Sequence, residues 1–143
     1  EMCIRDSGKT GQKNGISGIY IMGIYEVHVL NSYLNETDAD SQAGAIYNQH
    51  VPLVNASLPP GKWQTYDIIF KAPKYDANGE QLIPGYITLF HNGVLVQYNS
   101  EIRGPTRASS EQFEVSTPKL PLMLQDHNSK VGYRNIWIRK LQN

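Results

Sequence analysis

The stretch YITLFHNGVLVQY, residues 86–98, decides the fold class of this sequence. Two runs of β-branched and aromatic residues flank Asn92-Gly93, a dipeptide that accepts the two positive-φ positions of a type I′ turn. Because a two-residue turn sets the register, it predicts the cross-strand pairs His91 with Val94, Leu89 with Val96, and Ile87 with Tyr98. These side chains share a nearly apolar face, which is typical of a hairpin packed on a hydrophobic core.

The rest of the chain repeats this pattern of short strands and turns. Further strands are predicted at residues 19–22, 25–30, 63–71, 122–125 and 133–139, with long loops at 31–62 and 100–121. No stripe with helical spacing exceeds two turns. Many short strands separated by Gly and Pro predict an all-β sandwich or barrel.

The first residues do not follow this pattern. Residues 1–14 are rich in Gly, Lys, Ser and Asn, which predicts a loop, and the opening EMCIRDS has no periodicity. We therefore expect an unassigned lead over residues 1–14, with an artefactual start, and one domain over residues 15–143.

Composition excludes several classes of protein. The 143 residues include 13 basic and 13 acidic side chains, so the formal net charge is zero, and no basic run marks a nucleic-acid or anionic-membrane surface. No apolar stretch approaches the ~20 residues that span a bilayer. A single cysteine, Cys3, rules out an internal disulfide and a cysteine zinc cluster.

A cluster of reactive side chain types surrounds the last predicted turn. Gln125, Asp126 and His127 follow a short apolar run, and Arg134 and Asn135 complete a span of eleven residues. An acid, an imidazole, a guanidinium and two amides beside a turn suit a catalytic site. The alternative is a polar hairpin end with an ion pair between Asp126 and Arg134.

A second pair of titratable groups lies on one predicted strand. Alternation places Glu26 and His28 on the face opposite Tyr25, Val27 and Val29. A carboxylate and an imidazole on one face form a plausible base or metal-ligand pair. The alternative is a half-exposed edge of the sheet.

Aromatic residues lie near both polar clusters in sequence. Tyr20, Tyr47 and Trp63 are the candidates for binding a ligand. Aromatic faces beside amides and carboxylates suit sugar rings, which present C–H faces and hydroxyl edges. The alternative is that these are ordinary aromatic residues of a β-core.

Seven blocks, taken in order and with their spacing, resemble one family. They are SGIY at 17–20, YEVHVLNSY at 25–33, GAIY at 44–47, GKWQTYDI at 61–68, HNGV at 91–94, LQDH at 124–127 and YRNIWI at 133–138. Over roughly residues 15–143, the chain resembles the 3-keto-disaccharide hydrolase domain family, a large bacterial family. The residues that match the family pattern one for one are Glu26, Gln125, Asp126, His127, Arg134 and Asn135.

The resemblance implies an all-β, concanavalin-like β-sandwich, or jelly roll. Family domains begin with one or more strands that we do not find here, so we expect missing N-terminal strands and an exposed sheet edge. The chain also departs from the family pattern at Ile16, Ile24, His28 and Asn31.

The resemblance further implies a substrate, a glucoside already oxidised to a ketone at C3. The ketone acidifies the C2 proton, and its removal gives an enediolate that expels the aglycone from C1. Water then adds to the 2-hydroxy-glucal, so the net reaction is hydrolysis.

For this reaction we expect His127 or Glu26 to act as the base. Arg134 and Gln125 would stabilise the enediolate, and Asp126 would orient His127 or Arg134. The expected substrate-binding residues are Gln125, Asn135, His28, Tyr20, Tyr47 and Trp63.

Further expectations concern the cofactor, the location and a competing function. Glu26, His28 and His127 are ligand types that suit a divalent Zn or Mn ion. Family resemblance places the protein in the periplasm or outside the cell. The competing function is a non-catalytic carbohydrate-binding module, because jelly rolls also serve only to bind sugars.

Overall fold

The computed structural model describes residues 1–5, 10–106 and 119–141. In these ranges there is no α-helix, and two short 3₁₀ turns lie at Gly11–Lys13 and Ala39–Ser41. The strands there are β1 (Met2–Ile4), β2 (Ser17–Ile21), β3 (Tyr25–Val29), β4 (Trp63–Gln64), β5 (Tyr66–Lys71), β6 (Lys74–Tyr75), β7 (Gln81–Ile83), β8 (Gly85–His91), β9 (Val94–Ile102), β10 (Met123–Leu124) and β11 (Val131–Tyr133).

Antiparallel pairing arranges these strands in small sheets. Their orders are β11-β1-β4, β10-β2-β3, β5-β8-β9 and the hairpin β6-β7. The core lies where β2 and β3 pack on β8 and β9, with Val27, Leu89 and Val96 fully buried. A second cluster around Met2 and Val29 attaches the β1 sheet. The fold is therefore an all-β sandwich of the jelly-roll type, as predicted.

The hairpin β8–β9 forms at the predicted turn, with positive φ at Asn92 and Gly93. His91 pairs with Val94 as predicted, but Leu89 pairs with Gln97 rather than with Val96 because bulges shift the register. The shift turns the Gln97 amide inward. Its Nε2 donates to the carbonyls of Gly44 at 3.1 Å and His50 at 3.2 Å. The hydrogen bonds of the Gln97 amide therefore outweigh the preference for an apolar side chain at this inward position. The predicted pair Ile87 with Tyr98 is also wrong: Ile87 pairs with Ser100, and Tyr98 is 73% exposed.

The prediction of a loop over residues 1–14 is wrong at its start. Met2–Ile4 is a fully buried strand that pairs with both β11 and β4. A run of only three apolar residues between polar flanks shows no measurable alternation, so its pairing is visible only in three dimensions. The predicted loop 100–121 is likewise wrong at residues 100–102, which continue β9, while residues 107–118 lie outside the described part of the chain.

The predicted last strand is also shorter than expected. It covers Val131–Tyr133, and residues 134–139 are not in a strand. Ile136, Trp137 and Ile138 are 53%, 70% and 76% exposed. Alternation alone does not make a strand, because the backbone also needs a partner. Arg134 still exchanges two backbone hydrogen bonds with Glu1, both at 3.0 Å, but in the described part of the chain no strand pairs with residues 135–139.

One loop segment completes the sheet that bears the candidate site. Residues 44–47 run along β3, where His28 N–H donates to Ala45 O at 2.9 Å and Tyr47 N–H to Glu26 O at 3.1 Å. This pairing covers the β3 edge and brings Tyr47 beside the outer face of the sheet. None of the helical segments in the described ranges is long and apolar enough to cross a membrane.

Candidate functional site

The outer face of the β10-β2-β3 sheet carries a cluster of buried polar side chains. Cross-strand pairing sets Tyr20 opposite Glu26 and Gly18 opposite His28. These side chains point away from the core, as the alternation of β3 predicts. Tyr20, Glu26 and His28 are nonetheless only 2%, 4% and 3% exposed. We call this surface, with Gln125 and His127, the polar face.

Glu26 is held by its strand neighbours. The Tyr20 hydroxyl donates to Glu26 Oε2 at 2.7 Å, and Thr106 Oγ1 accepts from the Glu26 N–H at 2.6 Å. The carboxylate lies over Gly18, where an added Cβ would collide with Oε1 and lie 3.0 Å from Cδ. A glycine inside a strand often marks such a close approach, and here it makes room for the carboxylate.

Gln125 extends the same hydrogen-bonded chain. Its backbone N–H donates to Gly18 O at 2.9 Å, which continues the β10 pairing, and its Nε2 donates to the Tyr20 hydroxyl at 3.3 Å. Because Tyr20 donates to Glu26, its oxygen must accept from Gln125, which fixes the amide orientation. Gln125 Oε1 is buried and has no partner in the described part of the chain. A ligand that reaches Oε1 would supply this missing hydrogen bond.

His28 is fixed from the loop that follows β3. Its Nδ1 lies 2.5 Å from Ser41 O, and its ring packs against Tyr47 with centroids 5.0 Å apart. Burial lowers the pKa of His28 to about 4. The Ser41 carbonyl opposes this shift, and the charge of nearby His127 adds to it. His28 is therefore a neutral imidazole at physiological pH.

The mouth of the polar face is formed by exposed residues that follow β10. His127 has the same parity as Gln125 and is exposed, and its charge lowers the pKa of His28. Asp126 is also exposed, and its Oδ1 accepts from the Asn128 N–H at 3.1 Å, which shapes the turn. Within the described residues, the Asp126 carboxylate therefore bonds to its own turn, and to neither His127 nor Arg134.

Arg134, Asn135 and Trp63 lie elsewhere, on the outer side of the β11-β1-β4 sheet. The Arg134 guanidinium stacks 3.9 Å above the Trp63 ring and forms an ion pair with Glu1 at 2.8 Å. Asn135 Nδ2 donates to the same carboxylate at 2.5 Å. Hydrogen bonds from Arg134 and then Asn135 hold the pKa of Glu1 below its usual value. These contacts of the three predicted site residues are thus with one another and with Glu1.

A cleft is lined by residues of both groups, Gln125 of the polar face and Trp63 of the group around Arg134. Its volume is about 710 Å³, and it lies between β10 and β11 with Trp63, Gln125, Asp126 and Lys130 among its lining residues. Gln125 thus belongs both to the polar face and to the cleft wall. A cavity of this size accepts a small ligand.

Sequence reasoning missed the residues that hold the polar face in place. Ser17 Oγ donates to Gln125 O at 2.7 Å and contacts the Tyr133 hydroxyl at 2.7 Å. Burial raises the pKa of Tyr133, the bond to Ser17 opposes this, and the nearby Glu26 charge raises it further. The Ser41 carbonyl is a backbone group, so no side chain pattern points to it. Gly18 offered the one usable signal, a glycine within a strand.

The predicted metal ligands do not form a metal site. In the described ranges, no three His, Cys, Asp or Glu side chains come together in a way that would hold an ion. Glu26 is engaged by Tyr20, and the Nδ1 of His28 by the Ser41 carbonyl. Three ligand side chains therefore do not converge among the described residues, and no chemical step is derived through a metal ion.

Comparison with known proteins identifies the family. Residues 4–139 match the family described as the 3-keto-alpha-glucoside-1,2-lyase-like domain. A crystal structure from Parabacteroides distasonis, provisionally described as a glycosyl hydrolase, superposes with a TM-score of 0.88 at 36% sequence identity. The match covers 98% of this chain and 61% of that one, so the chain spans less than two thirds of its relative. No curated protein matches. The chain belongs to the family of 3-keto-alpha-glucoside-1,2-lyase-like domains.

Proposed function

We propose that the protein cleaves the glycosidic bond of 3-keto-glucosides by elimination followed by hydration. The observation that carries this proposal is the buried chain Gln125–Tyr20–Glu26, which ends in the buried, unpartnered Oε1 of Gln125, a residue that lines the cleft. Such a chain holds polar groups in place before a ligand arrives, so little reorganisation is needed during reaction. Family membership supplies the substrate class.

His127 is the proposed base. It is exposed at the mouth of the polar face, whereas Glu26 is 4% exposed and already accepts from Tyr20. The imidazole takes the C2 proton, and the C–H electron pair forms the C2=C3 double bond of the enediolate. Collapse of the enediolate restores the ketone, forms C1=C2 and breaks the C1–O bond, and the leaving oxygen takes a proton.

The remaining residues bind and orient the sugar. Gln125 and Tyr20 contact the oxygens of the sugar from the polar face. Tyr47 packs against the imidazole ring of His28. The cleft beside Trp63 takes the aglycone half of the substrate. Water then adds across C1=C2, with hydroxide at C1 and a proton at C2, which completes a net hydrolysis.

The test is an NMR time course in D₂O with a 3-keto-glucoside and its unoxidised parent. We expect aglycone release from the keto sugar alone, with deuterium incorporated at C2. The His127→Ala variant is expected to lose nearly all turnover. The matched control is His50→Gln, because His50 also carries an imidazole but bonds to Glu101 O at 2.6 Å, away from the polar face. Binding of the unoxidised parent without turnover of either sugar would instead identify a carbohydrate-binding module.

A further inference from the structure

Two hydrogen-bond acceptors lie on the polar face, and the first is a ring nitrogen of His28. The carbonyls of Ser41 and Gln42 lie beside the ring, and Nδ1 is 2.5 Å from Ser41 O. A carbonyl oxygen has no proton to give, so Nδ1 must carry the ring proton. The other nitrogen, Nε2, then holds a lone pair and can only accept a hydrogen bond.

The tautomer of His28 is held firmly. The residue is 3% exposed, its backbone is paired on both sides, and Tyr47 packs against the ring. Nδ1 is directed at the loop that carries Ser41, so Nε2, on the other side of the ring, is directed away from that loop. Pairing sets His28 opposite Gly18, whose carbonyl accepts from the Gln125 N–H at 2.9 Å, so His28 and Gln125 flank Gly18 on the polar face.

Gln125 Oε1 is the second acceptor, and its orientation is fixed by Tyr20 in the way described above. A ligand that satisfies both acceptors must present donors. Sugar hydroxyls are donors, whereas a ketone oxygen is not. A site built to hydrogen-bond a hydroxyl discriminates strongly against an analogue that lacks it, because its buried polar group then stays unpaired.

We infer that His28 Nε2 determines the orientation of the sugar by accepting a hydrogen bond from a hydroxyl next to the keto carbon. Gln125 Oε1 accepts from a second hydroxyl, and the ketone oxygen turns away from both acceptors. This inference rests on the proposed function for the identity of the sugar. It assigns His28 a direct role in specificity and no role in proton abstraction.

The first test reads the tautomer directly. Long-range ¹H–¹⁵N NMR of the full chain is expected to show the His28 proton on Nδ1 and a bare Nε2. Addition of methyl glucoside, which is not oxidised and does not turn over, is expected to shift the Nε2 resonance of His28. A proton on Nε2, or an Nε2 resonance that stays unchanged at saturating sugar, overturns the inference.

The second test combines changes in the ligand with changes in the protein. It measures the affinities of methyl glucoside and its 2-deoxy and 4-deoxy analogues for the wild type and for two His28 variants. We expect the wild type to favour the parent over one of the analogues by roughly five- to tenfold. His28→Phe is expected to abolish this preference, and His28→Gln, which keeps an acceptor, to retain it. Circular dichroism of both variants checks that they fold.

The outcomes separate this inference from the proposed function. If the keto sugar is cleaved but His28→Phe keeps the wild-type preference, only the role of His28 falls. If the second test shows the expected coupling but no keto sugar is cleaved, the elimination mechanism falls and hydroxyl recognition stands. If neither the parent nor the analogues bind, the role of His28 is overturned, and the proposed function is decided separately by turnover of the keto sugar.

Discussion

Two groups of predicted site residues lie in very different surroundings. Tyr20, Glu26 and His28 are at most 4% exposed and are tied to strands and a loop. Arg134 pairs with Glu1 at the surface, where their side chains are 46% and 24% exposed. A buried polar group without its partner costs far more than an exposed one. Removing or adding single atoms in the polar face should therefore change turnover or stability strongly. Substitution of Arg134 should change them little.

The largest effect on turnover is expected at Gly18, where the Glu26 carboxylate leaves no space for a side chain. Gly18→Ala places a methyl group against the Glu26 carboxylate and should displace it. Misplacement of a site group by about 1 Å is enough to lower turnover roughly 100-fold. Turnover of a 3-keto-glucoside measures the loss. Gly132→Ala is the comparison variant: it also adds a methyl group within a strand, but its Cβ would lie 3.8 Å from Trp63 in the cleft wall and fits, so a smaller loss is expected. Equal losses in both variants would contradict the comparison.

The second effect concerns acid stability. Burial lowers the pKa of both His28 and His91 from 6.5 to about 4. Between these values the unfolded chain binds more protons than the folded one, so stability is complete above pH 6.5 and falls as the pH drops toward 4. Each histidine should cost about 2 kcal/mol between pH 7 and pH 5.

Urea unfolding at the two pH values measures this loss. His91→Gln and His28→Gln should each remove about half of the pH dependence, since each takes away one of the two buried imidazoles. His50→Gln serves as the control, because no comparable burial holds His50. A pH dependence that survives in the double variant His28→Gln with His91→Gln would show that other groups cause it.

The third effect tests the hydrogen-bonded chain through Tyr20. Tyr20→Phe leaves the ring in place but removes the hydroxyl between Glu26 and Gln125. Loss of the shared partner should lower the free energy of unfolding by about 1–3 kcal/mol. Tyr98→Phe is the control, since Tyr98 is 73% exposed. Chemical denaturation of both variants gives the difference, and a Tyr20→Phe protein as stable as the control would mean that the chain contributes nothing.

The smallest effect is expected at the surface group. Arg134→Ala removes an exposed ion pair and a stacking contact with Trp63, and should change the urea midpoint little. Turnover should stay within about threefold of the wild type, as expected for a group outside the site. Steady-state kinetics with a 3-keto-glucoside checks this. A loss of 100-fold or more would restore Arg134 to the role that its sequence context predicts, stabilisation of the enediolate.

The comparison also explains where sequence reasoning succeeded. Alternation along β3 correctly separated Glu26 and His28 from the core side chains Val27 and Val29, because this period is a local property of an extended chain. The metal-ligand prediction depends on more than ligand types, because these are visible in sequence whereas their convergence in three dimensions is not.

Local patterns alone determined the fold class and the hairpin turn at Asn92-Gly93, since residue spacing and turn chemistry act over a few neighbouring residues. The same patterns determined which side of β3 is polar. Tertiary structure decided the rest. It placed Met2–Ile4 between two strands, moved the β8–β9 register so that the Gln97 amide points inward, and paired Arg134 with Glu1. It also fixed the His28 tautomer through a carbonyl 13 residues away. These features depend on partners distant in sequence, and alternation carries no information about which partner a strand or side chain will meet.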